Sequence, residues 1–576
     1  MTGHGGRLVA RVLRNHGAEV LFTLCGGHIQ AIYDGCLDEG IRVVDLRHEQ
    51  SAVFAADAWS RLTGRVGAAA VTAGPGVTNA ITAVANAWRA QSPVVVLGGA
   101  APQPLMGKGA LQEADLVPVL APISKASYRI TRADRLADQL DEAFRLAAEG
   151  VPGPVYVEVP VDLLFDSAPL PDPLPLAPRT PLASFGPGRL AGHTPLAPDP
   201  EAVAQAVHLL EGSRSPVALV GSQLRWHGDP DLLARWAQRF QLPVYLNGMA
   251  RGALPQDSPH LFARTRKAAL AEADVAVVVG TPLDFRLGYG QSPVWDARTR
   301  LIRIDLDPAQ LHRNRRADAA LAADAGAALA AMLDAAASTV GGPCPSAPAP
   351  SVSGSDTPPA ARARWLERLR RQEEEKAAGM ESSLRSTRTP LDPLRVAAEV
   401  DAALEPGSVV VGDGGDFVAT AAAVVQPRRW PGGWLDPGPL GTLGIGTGFA
   451  VAARLAFPES PVLALFGDGS VGFNLADFEA AARQGLPFVA VVGNDGAWTQ
   501  IRRGQVQMYG AERAVATGLT RARYERAVEA LGGWGAWVER PDELAPALRQ
   551  ALASGRPALV NVAIAPGSFR AGAISI

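Results

Sequence analysis

Short apolar segments that end in glycine turns alternate with helical patterns through three stretches of this 576-residue chain. The first stretch shows the pattern most clearly, with predicted strands at Glu19–Leu24, Ile41–Leu46, Ala68–Thr72 and Pro93–Leu97 and predicted helices between them. Such alternation is typical of parallel sheets covered by helices. The expected fold class is α/β, with three open parallel-sheet domains.

Proline-rich stretches separate the three domains. We predict a first domain at residues 1–168, a second, central domain at 200–337 and a third at 390–566, with a linker at 169–199. Residues 338–385 are predicted to form a second linker and a charged helix, and residues 567–576 a C-terminal tail, a candidate lid. The mixed charges of the helix at about 360–385 predict that it is solvated.

Charge and cysteine content exclude some classes of protein. A net charge of −3 argues against a nucleic-acid partner. The uncharged run from Pro437 to Ala453 is interrupted by glycines, so we expect no membrane span there. Cys25, Cys36 and Cys344 form neither a metal-binding pattern nor an even disulfide framework, which favours a reducing, cytoplasmic location.

The ends of two predicted strands carry oxygen donors. Pro461–Phe466 is followed by Gly467-Asp468-Gly469-Ser470, with a helix predicted from about Asn474, and Phe488–Val492 is followed by Gly493-Asn494-Asp495-Gly496. Ligands of open α/β sheets bind at the carboxyl ends of strands, so Asp468 and Asn494 should lie side by side. A carboxylate and an amide oxygen suit Mg²⁺, which commonly also binds phosphate oxygens. The alternative is that Gly467–Ser470 is only a tight strand-to-helix turn.

Three motifs together resemble a known family. Asn494 follows Asp468 by 26 residues, a spacing similar to the thiamine-diphosphate signature. Residues 441–446 (GTLGIG) and 47–50 (RHEQ) resemble the family's glycine turn and glutamate helix. The chain therefore resembles the thiamine-diphosphate enzymes of the acetohydroxyacid synthase superfamily, and the resemblance implies pyrimidine-binding, central and diphosphate-binding domains in that order.

The resemblance also implies roles for individual residues. Glu49 would hydrogen-bond the aminopyrimidine ring; the alternative is a carboxylate that complements a helix N-terminus. The Gly441 carbonyl would accept from the 4′-amino group, and Leu443 would bend the coenzyme. The implied Mg²⁺ ligands are Asp468, Asn494 and the Gly496 carbonyl, and the implied diphosphate contacts are Gly415, Asp416, Gly469 and Ser470.

The resemblance also implies an oligomeric state, and the chain departs from the family pattern at one residue. In this family the glutamate and the metal site come from different subunits, so a homodimer is the expected minimum and a homotetramer the expected larger assembly. Asp495 replaces a second asparagine that is common in the family. The first asparagine is the metal ligand, so the metal site is expected to be retained.

Pocket residues point to a branch of the family. His28 within Cys25–Ile29, the His48-Glu49 pair and Gln112 resemble 2-hydroxyacyl-CoA lyase-like enzymes and benzaldehyde lyase. His28 and Gln112 would hydrogen-bond the substrate hydroxyl and move its proton; alternatively, His28 only caps its turn. The runs 497–505 and 283–290 depart from those of true acetohydroxyacid synthases, which weakens acetolactate synthesis and flavin binding.

Two further ligand sites are predicted. A coenzyme A thioester needs cations for its phosphates, and Arg502, Arg503, Arg513 and Arg570 are candidates, unless they are solvated surface residues. In the central domain, Gly221 and Asp305 end predicted strands as nucleotide contacts do in relatives, so ADP, FAD or no ligand is expected there.

These observations lead to a hypothesis of function. We expect a thiamine-diphosphate- and Mg²⁺-dependent lyase that cleaves, or forms, a 2-hydroxyacyl-CoA, with formyl-CoA and an aldehyde or ketone as the other reactants. The alternatives are an acetolactate synthase or benzaldehyde-lyase-type carboligase acting on pyruvate or aldehydes, and an inactive regulatory homologue.

Overall fold

The computed structural model describes residues 2–169, 190–191, 193–339 and 357–566. These residues contain three six-stranded sheets, each with parallel strands. The predicted fold class is therefore confirmed. Most of both predicted linkers, the tail at 567–576, Arg570 and Cys344 lie outside the described residues.

The amino-terminal domain has the strand order β3-β2-β4-β5-β7-β6, with a separate antiparallel pair, β1 and β8. Its strands are β1 (Thr2–His4), β2 (Val20–Thr23), β3 (Arg42–Asp45), β4 (Gly67–Val71), β5 (Val94–Ala100), β6 (Ala126–Arg129), β7 (Pro154–Pro160) and β8 (Ser167–Pro169). Its helices are α1 (Gly5–Asn15), α2 (Gln30–Glu39), α3 (Glu49–Thr63), α4 (Pro75–Ala90), α5 (Val117–Leu120), α6 (Leu136–Ala148) and α7 (Val161–Phe165).

The central domain has a different strand order, β11-β10-β9-β12-β13-β14, which reverses direction between β9 and β12. Its strands are β9 (Pro216–Val220), β10 (Val244–Leu246), β11 (Leu261–Phe262), β12 (Val275–Val279), β13 (Arg300–Asp305) and β14 (Ala319–Ala322). Its helices are α8 (Pro200–Glu211), α9 (Leu232–Phe240), α10 (Arg266–Glu272) and α11 (Ala325–Thr339).

The charged helix packs on the central domain. It forms α12 (Pro358–Ala378), followed by the short α13 (Glu381–Leu384). Trp365 and Leu369 are buried, and the Trp365 indole donates to the Pro216 carbonyl at 2.9 Å. The prediction of a solvated helix was wrong, because buried residues at positions 362, 365, 369 and 373 form a helical stripe within the charged sequence.

The carboxy-terminal domain repeats the amino-terminal topology, with the order β16-β15-β17-β18-β20-β19. Its strands are β15 (Val409–Asp413), β16 (Trp434–Leu435), β17 (Val462–Gly467), β18 (Val489–Asn494), β19 (Trp534–Val538) and β20 (Ala558–Ala563). Its helices are α14 (Pro393–Ala402), α15 (Asp416–Ala421), α16 (Gly446–Ala456), α17 (Asp468–Val471), α18 (Asp477–Arg483), α19 (Thr499–Tyr509), α20 (Tyr524–Ala530) and α21 (Pro541–Ala553). The helix predicted from about Asn474 corresponds to α18, which begins three residues later at Asp477, and the short helix α17, which begins at Asp468 itself, was not predicted.

Helices α3 and α16 join the amino- and carboxy-terminal domains within the chain. A Cβ on Gly448 of α16 would lie 2.7 Å from the Ser51 carbonyl oxygen of α3, so glycine permits the close approach. Phe54 and Phe449 pack edge to face, with ring centroids 6.1 Å apart. The two domains thus share one apolar core.

Within the described ranges, every helix falls short, in length or in hydropathy, of a bilayer-spanning segment.

Candidate active site

Glu49 lies at the first position of α3, four residues after the last residue of β3. Its side chain is buried, and the Asn79 amide of α4 donates to its Oε2 at 2.9 Å. His48 caps the helix, because its Nδ1 accepts from the Gln50 backbone N–H at 3.0 Å. The carboxylate is therefore held in one orientation at the edge of the amino-terminal sheet.

His28, Thr72 and Gln112 form a chain of hydrogen bonds at the same edge. His28 Nδ1 lies 3.2 Å from the Thr72 hydroxyl, and that hydroxyl donates to Gln112 Oε1 at 3.4 Å. Burial lowers the pKa of His28, although a hydrogen bond to the Leu111 carbonyl opposes the shift. The imidazole is therefore mainly neutral near pH 7 and can accept a proton.

The loop that carries Gln112 is held in a strained conformation. Gln112 has a φ of 59°, which non-glycine residues seldom adopt. A Cβ on Gly74 would lie 2.4 Å from the Gln112 carbonyl oxygen, so glycine allows the loop to approach β4. A cavity of about 240 Å³ beside Gln112 is lined also by the ion-paired Arg129 and Glu158.

Asp468 and Asn494 meet at the carboxyl ends of β17 and β18, where Gly467 pairs with Gly493. The Asp468 carboxylate accepts backbone N–H groups of Gly469 at 2.9 Å, of Gly496 at 2.8 Å and of Ala497 at 3.2 Å. The structure therefore gathers the three predicted metal ligands, Asp468, Asn494 and Gly496, at one sheet edge.

Two features of this edge of the carboxy-terminal sheet favour the binding of a cation. Asn494 is completely buried and its Nδ2 is hydrogen-bonded, but its Oδ1 has no partner among the described residues. Burial, and then the neighbouring Asp495, raise the pKa of Asp468 to about 6. A bound divalent cation would satisfy the orphan oxygen and offset the uncompensated negative charge.

Asp413 fixes the turn that holds Gly441 and Leu443. It is buried at the end of β15 and accepts the backbone N–H groups of Gly444 at 3.1 Å and Gly446 at 2.8 Å. Burial raises the pKa of Asp413 to about 7, although these hydrogen bonds oppose the shift. Sequence reasoning missed both Asp413 and Thr72; the signal was present, since each follows or ends a predicted strand.

The predicted diphosphate contacts surround the start of α15 and α17. Gly415 caps α15, and a Cβ there would lie 2.6 Å from Gln500 Oε1. The Ser470 hydroxyl donates to the Asp413 carbonyl at 2.6 Å, and a Cβ on Gly469 would lie 2.3 Å from the Trp498 ring. These glycines leave little room for any side chain beside the backbone N–H groups.

The arginines predicted to bind the phosphates of coenzyme A differ in exposure and in ion pairing. Arg503 forms a bidentate ion pair with Asp416 at 2.9 and 2.8 Å, so its charge is already compensated. Arg502 and Arg513 are exposed on α19 and on the turn after it, and Arg570 lies outside the described residues.

The central-domain crevice is filled by side chains. Asp305 is buried, accepts from Gln223 Nε2 at 2.8 Å, and pairs with Arg303 at 3.2 Å. Gln223 also packs on Gly280, whose Cβ would lie 2.5 Å from the Gln223 Cβ. Gly221 lies at the same edge, so the two predicted nucleotide contacts are neighbours, but the Asp305 carboxylate is already hydrogen-bonded.

Comparison with known proteins places the chain in a family. Three domain models of thiamine pyrophosphate (thiamine diphosphate) enzymes match it: the N-terminal TPP binding domain at residues 3–119, the central domain at 203–332 and the C-terminal TPP binding domain at 413–562. The chain is 38% identical to proteins named 2-hydroxyacyl-CoA lyase 2 from Caenorhabditis elegans and Homo sapiens, covering 100% of this chain and 91% and 92% of theirs. It is 39% identical to the acetolactate synthase large subunit IlvG of Mycobacterium tuberculosis, covering 98% of this chain and 96% of that protein.

The three matched domains occur in the same order along the chain as the three sheets. They confirm the resemblance that residues 47–50, 441–446, Asp468 and Asn494 indicated. The chain belongs to the thiamine pyrophosphate enzyme family.

Proposed function

We propose that the protein is a Mg²⁺-dependent lyase that cleaves 2-hydroxyacyl-CoA to formyl-CoA and an aldehyde or ketone, or runs the reverse ligation. The observation that carries this proposal is the His28–Thr72–Gln112 chain beside Glu49, since it supplies a neutral base and an amide for a substrate hydroxyl. The full-length relatives named 2-hydroxyacyl-CoA lyase 2 support the same reaction.

The residues present fit the coenzyme and its metal. Asp468, the orphan Oδ1 of Asn494 and the Gly496 carbonyl would hold Mg²⁺, and Gly415, Asp416, Gly469 and Ser470 would contact the diphosphate. Glu49 would hydrogen-bond the aminopyrimidine, the Gly441 carbonyl would accept from its amino group, and Leu443 would support the bent coenzyme. When bound, thiamine diphosphate supplies a nucleophilic carbanion and an electron sink for carbon–carbon bond cleavage.

Side chains of this protein would accept the proton of the substrate hydroxyl and later return it. In the cleavage direction, His28 accepts the proton of the 2-hydroxyl as the C1–C2 bond breaks and the aldehyde or ketone forms. Gln112 orients that hydroxyl, and Thr72 holds His28 and Gln112 together. The proton is then returned to the one-carbon unit, which leaves as formyl-CoA.

A carboligase that acts on pyruvate or aldehydes is the second candidate. The 39% identity to an acetolactate synthase subunit favours it. The runs at 283–290 and 497–505 weigh against it, because they depart from the acetohydroxyacid synthase pattern. Glu49, Asp468 and Asn494 are all present, which disfavours an inactive homologue.

The test uses the full chain with thiamine diphosphate, Mg²⁺ and a 2-hydroxyacyl-CoA, with formyl-CoA detected by mass spectrometry. We expect formyl-CoA and the matching aldehyde in equal amounts, formed about 10³-fold more slowly by Glu49→Gln. Turnover of pyruvate to acetolactate without any formyl-CoA would replace the lyase by the carboligase.

We also propose a homodimer as the smallest active unit and a homotetramer as the larger assembly. Exposed apolar side chains flank both halves of the site: Leu111, 77% exposed, lies next to Gln112, and Ile501, Met508 and Tyr509 are exposed on α19. Burial of such a surface against a second copy would be favourable.

The free thiols Cys25 and Cys36 are compatible with the cytoplasm, which stays the proposed location. ADP or FAD stays a candidate ligand of the central domain.

A further inference from the structure

Gln112 is carried by a largely exposed loop at residues 101–116, which joins β5 to α5. Its amide lies 3.4 Å from the Thr72 hydroxyl, the contact through which it belongs to the proposed proton-handling chain. An amide can orient a substrate hydroxyl only while its own backbone stays in place. The role of Gln112 therefore depends on what fixes this loop.

The loop is anchored near its start and again at Gln112. Near its start, the Gln103 backbone N–H donates to Asp162 Oδ1 at 3.1 Å, and the Gln103 side chain donates to the Thr131 carbonyl at 2.7 Å. At Gln112, the backbone lies so close to Gly74 that a Cβ on Gly74 would be 2.4 Å from the Gln112 carbonyl oxygen. The segment between these two anchors has to be ordered by other contacts.

Apolar packing does little to order that segment. Leu105 and Leu111 are 48% and 77% exposed, and a Cβ on Gly107 or Gly109 would have no atom of the described residues within 4 Å. The backbone nevertheless adopts a positive φ three times, 77° at Gly107, 76° at Gly109 and 59° at Gln112. An exposed segment with this conformation needs a specific contact to offset its loss of conformational entropy.

The Glu113 carboxylate supplies that contact. Its Oε2 accepts the backbone N–H groups of Gly109 at 3.1 Å and of Ala110 at 3.0 Å, and its Oε1 accepts that of Gly107. These hydrogen bonds, that of Gly107 first, lower the pKa of Glu113, so the carboxylate is ionised at neutral pH. Charge-assisted hydrogen bonds of this kind are stronger than neutral ones. One side chain thus ties the loop back on itself directly after Gln112.

We propose that Glu113 is a positioning residue, which holds the loop so that the Gln112 amide stays at the substrate hydroxyl. The proposal rests on the proposed role of Gln112, and it gives Glu113 no contact with the substrate. Without the carboxylate, the three N–H groups would bond water and the exposed loop would take many conformations. Gln112 would then spend only part of its time beside Thr72.

A double-mutant cycle tests whether Glu113 acts through Gln112. Formation of formyl-CoA from a 2-hydroxyacyl-CoA is measured with thiamine diphosphate and Mg²⁺ for the full chain, Glu113→Ala, Gln112→Ala and the double variant. We expect Glu113→Ala to lower kcat about tenfold when Gln112 is present, and less than about twofold when Gln112 is replaced by alanine. Equal losses in both backgrounds would overturn the proposal, because Glu113 would then act independently of Gln112.

Asp115→Asn is the matched control. Asp115 lies in the same loop, two residues after Glu113; its side chain is 76% exposed and 3.8 Å from Arg129. This variant should keep kcat within about twofold of the wild type, and all variants should unfold at the wild-type temperature, since the loop contributes little to the core. A loss in Asp115→Asn as large as that in Glu113→Ala would assign the effect to the charge of the loop and overturn the proposal.

Hydrogen exchange of the coenzyme-free protein gives a readout that does not depend on turnover. The amides of Gly107, Gly109 and Ala110 should exchange at least about tenfold faster in Glu113→Ala than in wild type, with the amides of β4 unchanged. Unchanged exchange at the three amides would overturn the proposal, because Glu113 would not hold the loop. If the wild type makes acetolactate instead of formyl-CoA, the proposed lyase function fails, and the same cycle on pyruvate turnover decides the role of Glu113.

Discussion

The amino- and carboxy-terminal sheets have the same strand order, but their functional edges are completed differently. At the amino-terminal edge, Glu49, His28 and Gln112 are tied to neighbouring side chains by hydrogen bonds. At the carboxy-terminal edge, the Asn494 oxygen has no partner among the described residues, and burial and Asp495 raise the pKa of Asp468. The same sheet topology can therefore carry proton-transferring side chains that hydrogen-bond one another, or a set of oxygen donors that a bound cation would complete.

The central sheet shows a third outcome. Its order reverses between β9 and β12, the kind of switch point where nucleotides bind in open α/β sheets. The crevice there is closed by the Gln223–Asp305 hydrogen bond. Strand order alone does not decide which crevice holds a ligand, because side chains can fill it.

The largest expected effect would show that the two edges work across subunits. Glu49→Gln and Asp468→Asn should each lower kcat about 10³-fold while the fold persists. When the two inactive variants are mixed and allowed to exchange subunits, about a quarter of wild-type activity should return, because each mixed dimer has one intact site.

Activity assays after refolding of the mixture measure this, with each variant refolded alone as the control. A mixture that exchanges subunits but stays inactive would place both edges of one site in the same chain.

Removal of the orphan oxygen should affect only the carboxy-terminal edge. Asn494→Ala is expected to weaken Mg²⁺ binding about 10- to 100-fold, because a metal ligand is lost. Asn494→Asp keeps an oxygen and serves as the matched control. Calorimetric titration of Mg²⁺ in the presence of thiamine diphosphate gives the affinities, and equal affinities for wild type and the alanine variant would contradict the metal site.

Removal of the central hydroxyl should affect only the amino-terminal edge. Thr72→Val is expected to lower kcat about five- to tenfold, since His28 and Gln112 lose their common hydrogen-bond partner. Thr72→Ser should be close to wild type, and Mg²⁺ affinity should be unchanged in both. A valine variant with full activity would mean that Thr72 only packs.

The dependence of kcat/KM on pH should show the titration of His28, the proposed base. Because burial lowers the pKa of His28, activity should fall on the acid side only below the ordinary imidazole pKa of about 6.5. His28→Asn should lose that acid limb together with most of the activity. An acid limb that persists in the variant at the same pH would belong to another group.

The last expected effect concerns stability, not activity, at the carboxy-terminal edge. The pKa of Asp413 is raised to about 7 by burial, so the folded state binds a proton that the unfolded state releases above pH of about 4. The free energy of unfolding should therefore fall as pH rises from about 4 to about 7.

Asp413→Asn should remove that contribution, so the difference in stability between variant and wild type should change across this window. Denaturant unfolding of the metal-free protein measures it, with the exposed Glu459→Gln as the control. Parallel pH dependences for wild type and Asp413→Asn would mean that Asp413 does not titrate there.

Much of the fold could be predicted because interior parallel strands are continuous apolar runs. Val244–Leu246 and Val275–Val279 were placed without error, and the strand ends that carry Asp468 and Asn494 were within two residues. Short edge strands such as β11 and β16, two residues each, carry no such pattern. The stripe of α12 was missed because its long charged neighbours obscure its periodicity.

The residues of the candidate site also fall into two groups, those that the sequence could predict and those that it could not. Glu49, Asp468 and Asn494 could be named because they occur in fixed local motifs. Thr72 could be placed at a strand end, but its role between His28 and Gln112 could not be assigned, since that role depends on contacts 44 and 40 residues away in sequence.

The sequence by itself determined the strand pattern, the oxygen donors at two strand ends and the membership of a family, because each of these is encoded in residues close together along the chain. Only the tertiary structure decided which acceptor stays unsatisfied among the described residues, which arginines are ion-paired and which crevice is filled. Those properties depend on burial and on long-range partners, and both exist only when the chain is folded.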